Sequence, residues 1–171
     1  MKGILTGYLA ADHDRLDGLL RSALRTAGTI DMGPYAEFRA GLMRHIAMEE
    51  KVMLPAVARM QGGRQAEIAS RLRLDHGALV ALLVPPPTPS IIATMLFILD
   101  GHNALEEKDG GVYELVDTLA GAEAESLLQQ LRDTPPVPVL PHNERPDIIE
   151  ATRRAVARAG YEFREAASFT P

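Results

Sequence analysis

Four stretches of about 20 residues each carry a stripe of apolar side chains at spacings of three and four, and a single histidine interrupts each stripe. That periodicity places a stripe on one face of an α-helix. The first reads Leu5, Leu9, His13, Leu16, Leu20 and Leu24. The second starts near Pro34, a residue suited to a first helical turn, and reads Phe38, Leu42, His45, Glu49, Val52, Ala56 and Met60. Pro55 lies inside it, so a kink or break is expected in the turn before it. The third is Ile68, Leu72, His76, Leu79 and Leu83. The fourth opens after Pro89, with Thr88 or Ser90 as cap, and continues Ile91, Met95, Ile98, His102 and Glu106.

Breakers separate the stretches: Gly28 to Pro34, Gly62-Gly63, Pro85 to Pro89, Gly110-Gly111 and Pro135 to Pro146. Sustained alternation, the mark of a half-buried strand, is missing. The expected fold is all-α, an up-down-up-down four-helix bundle with additional C-terminal helical segments. The fifth segment, Val112 to Leu131, follows the bundle and is expected to break at Gly121. Residues 1–131 are thus read as the bundle plus a following helix. Residues 132–171 are read as a Pro-rich linker and a C-terminal helix and tail. The last helix, capped by Asp147 and stopped by Gly160, has a thin apolar face and packs either on the bundle or on another copy.

Composition narrows the chemistry. The 171 residues include no Cys, which removes disulfide scaffolds, thiolate zinc sites, iron–sulfur clusters and cysteine nucleophiles. A net charge of −5 without a basic run argues against nucleic acid as a partner. The longest uncharged stretch, Gly77 to Leu99, is broken by four prolines, so no membrane span is expected. Asp12 and Asp14 come too early for a signal peptide, and a cytoplasmic location is expected. No Ser-His-Asp arrangement, phosphate loop or dinucleotide glycine pattern is present.

The histidines carry the informative pattern. His45 and Glu49, like His102 and Glu106, stand four residues apart, one above the other on a helix face. Both pairs belong to a weak internal repeat, H-x-x-x-E-E-K. His13 and His76 add one imidazole each. Counting from the breakers at ~1.5 Å per residue puts His13, His45, Glu49 and His76 at one level within a turn. His102 is offset by about one turn, which the Pro85 to Pro89 link must absorb. Four imidazoles and two carboxylates on apolar stripes, without a Lys or Arg among them, are costly to bury unless a cation neutralises them. The mixed nitrogen and oxygen set suits Fe, Mn, Zn or Cu. If Glu49 and Glu106 both bridge, two metals receive two nitrogens and two oxygens each. A solvent-derived oxo or hydroxo bridge then leaves one position open on a six-coordinate ion, a natural site for dioxygen, nitric oxide or peroxide.

Asp12-His13-Asp14-x-Leu16, His45-x-x-x-Glu49-Glu50-x-x-x-Leu54-Pro55, Asp75-His76 and His102-x-x-x-Glu106-Glu107, in this order, resemble the hemerythrin-like HHE cation-binding domain over roughly residues 5–131. The resemblance implies a four-helix bundle with a non-haem di-iron centre. Its ligands here would be His13, His45, Glu49, His76, His102 and Glu106, with both glutamates bridging. One departure matters. Oxygen carriers of the family have a second histidine one turn before the third-helix histidine, where this chain has Leu72. They place the last carboxylate five residues after the fourth-helix histidine, whereas this chain offers Glu106 at four and Glu107 at five.

The chain therefore looks more like the branches that sense iron or oxygen, or that are associated with iron–sulfur repair, than like a storage protein. A binding or sensing role is expected ahead of turnover of peroxide or oxygen, and no catalytic residue is assigned. A protein partner or second copy is expected to meet residues 132–171. Among the remaining residues, Glu50 and Glu107 are read as solvated or as outer partners of the ligands, Asp17 as a surface charge ahead of an outer partner, and Asp75 as exposed. His142 is read as solvated, and Met43, Met48, Met53 and Met60 as packing. Spacing does not assign Tyr8 or Tyr113 to the site.

Overall fold

The computed structural model describes residues 3–24, 29–64, 66 and 68–165. Among these residues it is all-helical, without a strand. The elements are α1 (Ile4–Ala23), α2 (Met32–Met48), a π turn (Glu49–Met53), α3 (Leu54–Met60), α4 (Ala69–Leu82) and α5 (Pro89–Glu107), then α6 (Val112–Ala120), a 3-10 turn (Gly121–Glu123), α7 (Ala124–Arg132) and α8 (Ile148–Arg158). None of these helices is long and apolar enough to cross a membrane.

The expected punctuation is visible, with physical detail added. Asp31 caps α2 through Gly33 N–H, and Thr88 caps α5 by accepting from Ile91 N–H at 3.2 Å. Proline cannot donate a helical hydrogen bond, and the chain meets Pro55 by widening into the π turn before restarting as α3. Such single-turn widenings collect at functional sites, and this one begins on Glu49. Gly121, at φ 47°, ends α6. Asp147 stands before α8 but makes no capping bond; its carboxylate takes two bonds from Arg145 instead.

The first turn of α1 is satisfied from a distance. Asp117 on α6 accepts Leu5 N–H at 3.0 Å and Thr6 N–H at 2.9 Å, filling orphan donors that no local side chain reaches. Close approach demands Gly3 here, because a Cβ would lie 2.1 Å from the Asp117 carboxyl carbon. This contact ties the fifth segment to the start of the first.

Two apolar clusters fill the interior. The first joins Leu5, Leu9, Met48, Met53, Leu54, Val57 and Leu72 to Val112, Tyr113, Val116 and the buried leucines of α7. The second joins Leu16, Leu20, Tyr35, Phe38, Leu42 and Leu79 to Ile91, Met95 and Ile98. In both α1 and α4 the histidine falls where one cluster gives way to the other, so a polar layer lies between them. Each fully buried Leu or Phe contributes roughly 1.5–3 kcal/mol, enough in aggregate to hold such a layer closed.

The C-terminal stretch packs on its own chain. α8 lies against α4, with Val156 and Ala159 inside the second cluster and Thr152 donating to the Ala81 carbonyl. The Pro-rich segment before it is strapped to α2: Arg44 holds the Thr134 and Arg132 carbonyls, and Arg39 those of Leu83 and Leu140. His142 is not solvated as expected. It is half-buried, and its ring stacks on Tyr35 at 6.1 Å, because the strap lays the linker over the open end of the second cluster.

Candidate metal centre

All six anticipated side chains meet in the polar layer. Glu49, His76, His102 and Glu106 offer ligand atoms within 4.8 Å of one another, as do His13, His45 and Glu49, so the two groups share Glu49. All six are buried, and both glutamates are inaccessible. The His13 and His45 ring centroids lie 4.5 Å apart, and those of His76 and His102 lie 4.8 Å apart. The offset expected for His102 is absorbed in the residues joining α4 to α5.

Each imidazole is oriented by a carboxylate on its Nδ1. Asp12 of α1 holds His45 at 2.9 Å, and Glu50 of the π turn holds His76 at 2.7 Å. Asp75 of α4 faces His102 at 3.4 Å, and Glu107 of α5 holds His13 at 2.7 Å. The four pairs form a closed circuit, in which each element supplies a ligand and a neighbouring carboxylate that serves the next element's histidine. Helix geometry dictates this. Adjacent residues project about 100° apart, so an acid next to a ligand cannot face its own histidine but does face the neighbouring helix.

Two of these partners depart from expectation. Asp75 is not exposed but fully buried. Its second oxygen is held by Arg71 at 2.6 Å, and Arg71 also donates to the Ala159 carbonyl and lies over the Tyr161 ring. The residues after α8 therefore brace a ligand's partner. Asp12 belongs to the Asp12-His13-Asp14 motif but was given no role; its position directly before a stripe histidine was the available signal. Asp17 is half-exposed and paired with Arg21, as its reading required. Leu72, where carriers of the resembling family have a histidine, is buried in the first cluster.

A carboxylate beside each Nδ1 favours a proton there and leaves each Nε2 facing the interior of the layer. There the lone pairs meet carboxylate oxygens: His76 with Glu49 at 3.0 Å, His45 with Glu49 at 3.2 Å, His102 with Glu106 at 3.3 Å and His13 with Glu106 at 3.4 Å. Electron-pair donors at such distances need positive charge between them. Glu49 Oε2, Glu106 Oε1 and His76 Nε2 are buried without a hydrogen bond. The donor set therefore fits a metal ion.

Without one, protons supply the charge. Burial opposes the His45 imidazolium, but Glu49 and Asp12 override it and raise its pKa to about 9. His76 is raised likewise by Glu49 and Glu50 against its burial. Burial and the neighbouring His45 push His13 down to about 4. Burial would raise Glu49, yet His45 and His76 hold it well below the usual carboxylate range. Burial and the Glu49 charge drive Glu106 well above that range.

Tyr113, which spacing alone left unassigned, enters the layer from α6 with its hydroxyl among the ligand atoms of both glutamates, His13 and His45. Tyr8 stays half-buried beneath Arg132. On the side of the second cluster a cavity of about 360 Å³ reaches all four histidines. Leu16, Leu42, Leu79 and Leu99 line its walls, and Asp14, Asp17, Arg21 and Asp100 also border it.

The chain is thus an all-helical protein with a buried His/Glu site able to hold metal. No protein-family model matches it, and neither the curated proteins nor the solved structures contain a match to it.

Proposed function

We propose that this protein is a hemerythrin-like di-iron protein that binds or senses a small ligand: dioxygen, nitric oxide or peroxide. The observation that carries the reading is the closed circuit, four inward-facing imidazoles each oriented by a carboxylate around Glu49, which both groups share, and Glu106. The circuit also supports the bundle architecture, because it makes α1, α2, α4 and α5 consecutive neighbours around one axis. The mixed donor set suits iron, and manganese or zinc fit the same atoms. Two such ions, when bound, supply redox chemistry and an open coordination position.

The chain's own groups do the rest. The Nδ1 partners hold the rings still, Glu49 and Glu106 neutralise charge between the two groups, and the first apolar cluster excludes water on the face away from the cavity. The cavity bordered by Leu16, Leu42, Leu79 and Leu99 reaches all four histidines and gives a small ligand a way to them. With Leu72 in place of a further imidazole, the site is one nitrogen poorer than a carrier's, which favours sensing over bulk storage.

Metal analysis with an absorption spectrum of the air-oxidised full chain tests the proposal, with two irons per chain expected. His76→Ala is expected to lose most of the metal from one position, whereas His142→Ala keeps both filled. Equal occupancy in these two variants would defeat the ligand assignment. Asp75→Asn, which weakens the hold on His102 without removing a ligand, is expected to lower metal affinity about 10–100-fold. Competition with a chelator of known strength measures it, and an unchanged affinity would deny Asp75 its orienting role.

A further inference from the structure

The layer contains one oxygen that the six-ligand reading leaves unused. Tyr113 is the second residue of α6, and Gly110-Gly111 precedes that helix. Only glycine fits at 111, where a Cβ would lie 2.4 Å from the Glu106 carbonyl oxygen. The tight turn this permits swings α6 back beneath the polar layer and brings Tyr113 into it, fully buried. The hydroxyl lies 2.5 Å from Glu49 Oε1, 3.1 Å from His13 Nε2, 3.2 Å from Glu106 Oε2 and 3.3 Å from His45 Nε2.

All four neighbours are ligand atoms, and they surround the phenol oxygen as they would surround a cation beside it. A phenol has one proton to donate, and Glu49 takes it, so the hydroxyl cannot satisfy the other three as a donor. An apolar core position would not need the hydroxyl at all. Phe in its place would leave the same ring against the first cluster.

We infer that Tyr113 is a seventh protein ligand of the centre, binding as phenolate to the cation held by His13, His45 and Glu49. This inference rests on the metal-binding reading above. The metal–oxygen bond forms as the O–H bond breaks, and the proton leaves to solvent, as protons do when ligands load metal. No electron is transferred.

The consequence is asymmetry. One cation takes His13, His45, Tyr113 and the two glutamates. The other takes only His76, His102 and the glutamates, and keeps the open position. Tyr113 closes the face toward the first cluster, while the cavity opens on the face toward the second. The small ligand therefore binds at the His76/His102 cation.

The test is the visible spectrum of the full chain loaded with ferric iron, together with iron analysis. A ferric phenolate gives an intense charge-transfer band and enhanced phenolate ring vibrations in resonance Raman. Both are expected in the unmodified protein, and both are expected to vanish in Tyr113→Phe while two irons remain per chain. Two irons without phenolate bands in the unmodified protein, or bands that persist in Tyr113→Phe, would overturn the inference and leave the di-iron reading standing. Failure to bind iron at all would instead remove the di-iron reading, and this inference with it. If Tyr113→Phe does not fold, the unmodified protein grown with ring-deuterated tyrosine decides, because only a bound phenolate shifts the enhanced vibrations.

Discussion

Glu49→Gln is expected to abolish stable binding at both cation positions, a larger effect than any other single change to the site. Glu49 is the one side chain common to both ligand groups, and its two oxygens face His45 on one side and His76 on the other. Glutamine keeps the volume, so the fold should survive, but it removes the negative charge and one electron-pair donor. The loss should exceed the roughly 10–100-fold typical of removing an outer hydrogen-bond partner. Iron per chain after gel filtration measures it. Should Glu49→Gln retain one full equivalent, the two groups would be independent, and Glu49 would not be a bridge.

Metal loading is expected to raise the unfolding midpoint by about 8–16 °C when free metal stands ~1,000-fold above its dissociation constant. That excess stabilises by about 4 kcal/mol, and each kcal/mol shifts a domain of this size by roughly 2–4 °C. Without the cation the six facing groups depend on bound protons for their counter-charge, and the metal takes over that role.

The shift should depend on pH in a defined direction. The raised pKa of His45, about 9, contributes stability to the metal-free fold that is fully present below its unfolded value near 6.5. That contribution is lost as pH rises through 9. Metal binding must displace the same proton, and that displacement becomes easier over the same interval. The gap between loaded and metal-free midpoints should therefore widen from pH 6.5 to 9. Differential scanning calorimetry of both forms across this range checks it, and a gap that narrows as pH rises would contradict the account.

The helices, their breakers and the six side chains that meet in the buried layer were legible in the linear chain, because each is a local matter. A stripe of period 3.6 must be a helix face, a His and a Glu four apart must share it, and Pro55 must disturb the turn before it. Which helix faces which was not local. It emerges only when Asp12, Glu50, Asp75 and Glu107 are seen reaching across to the next histidine. Asp75 looked like a surface acid because nothing local reveals His102, which another helix brings to it. Arg71, four residues earlier on the same helix, holds its other oxygen. Tyr113 was beyond reach for the same reason, since its place depends on how sharply α6 turns back after Gly111.

Periodicity along the chain thus determined which side chains share a helix face, because covalent geometry sets that spacing residue by residue. Only the folded chain decided which faces meet, which acids orient which imidazoles and which phenol enters the layer. Those contacts join residues 7 to 100 positions apart, and no local propensity encodes a distance across the core.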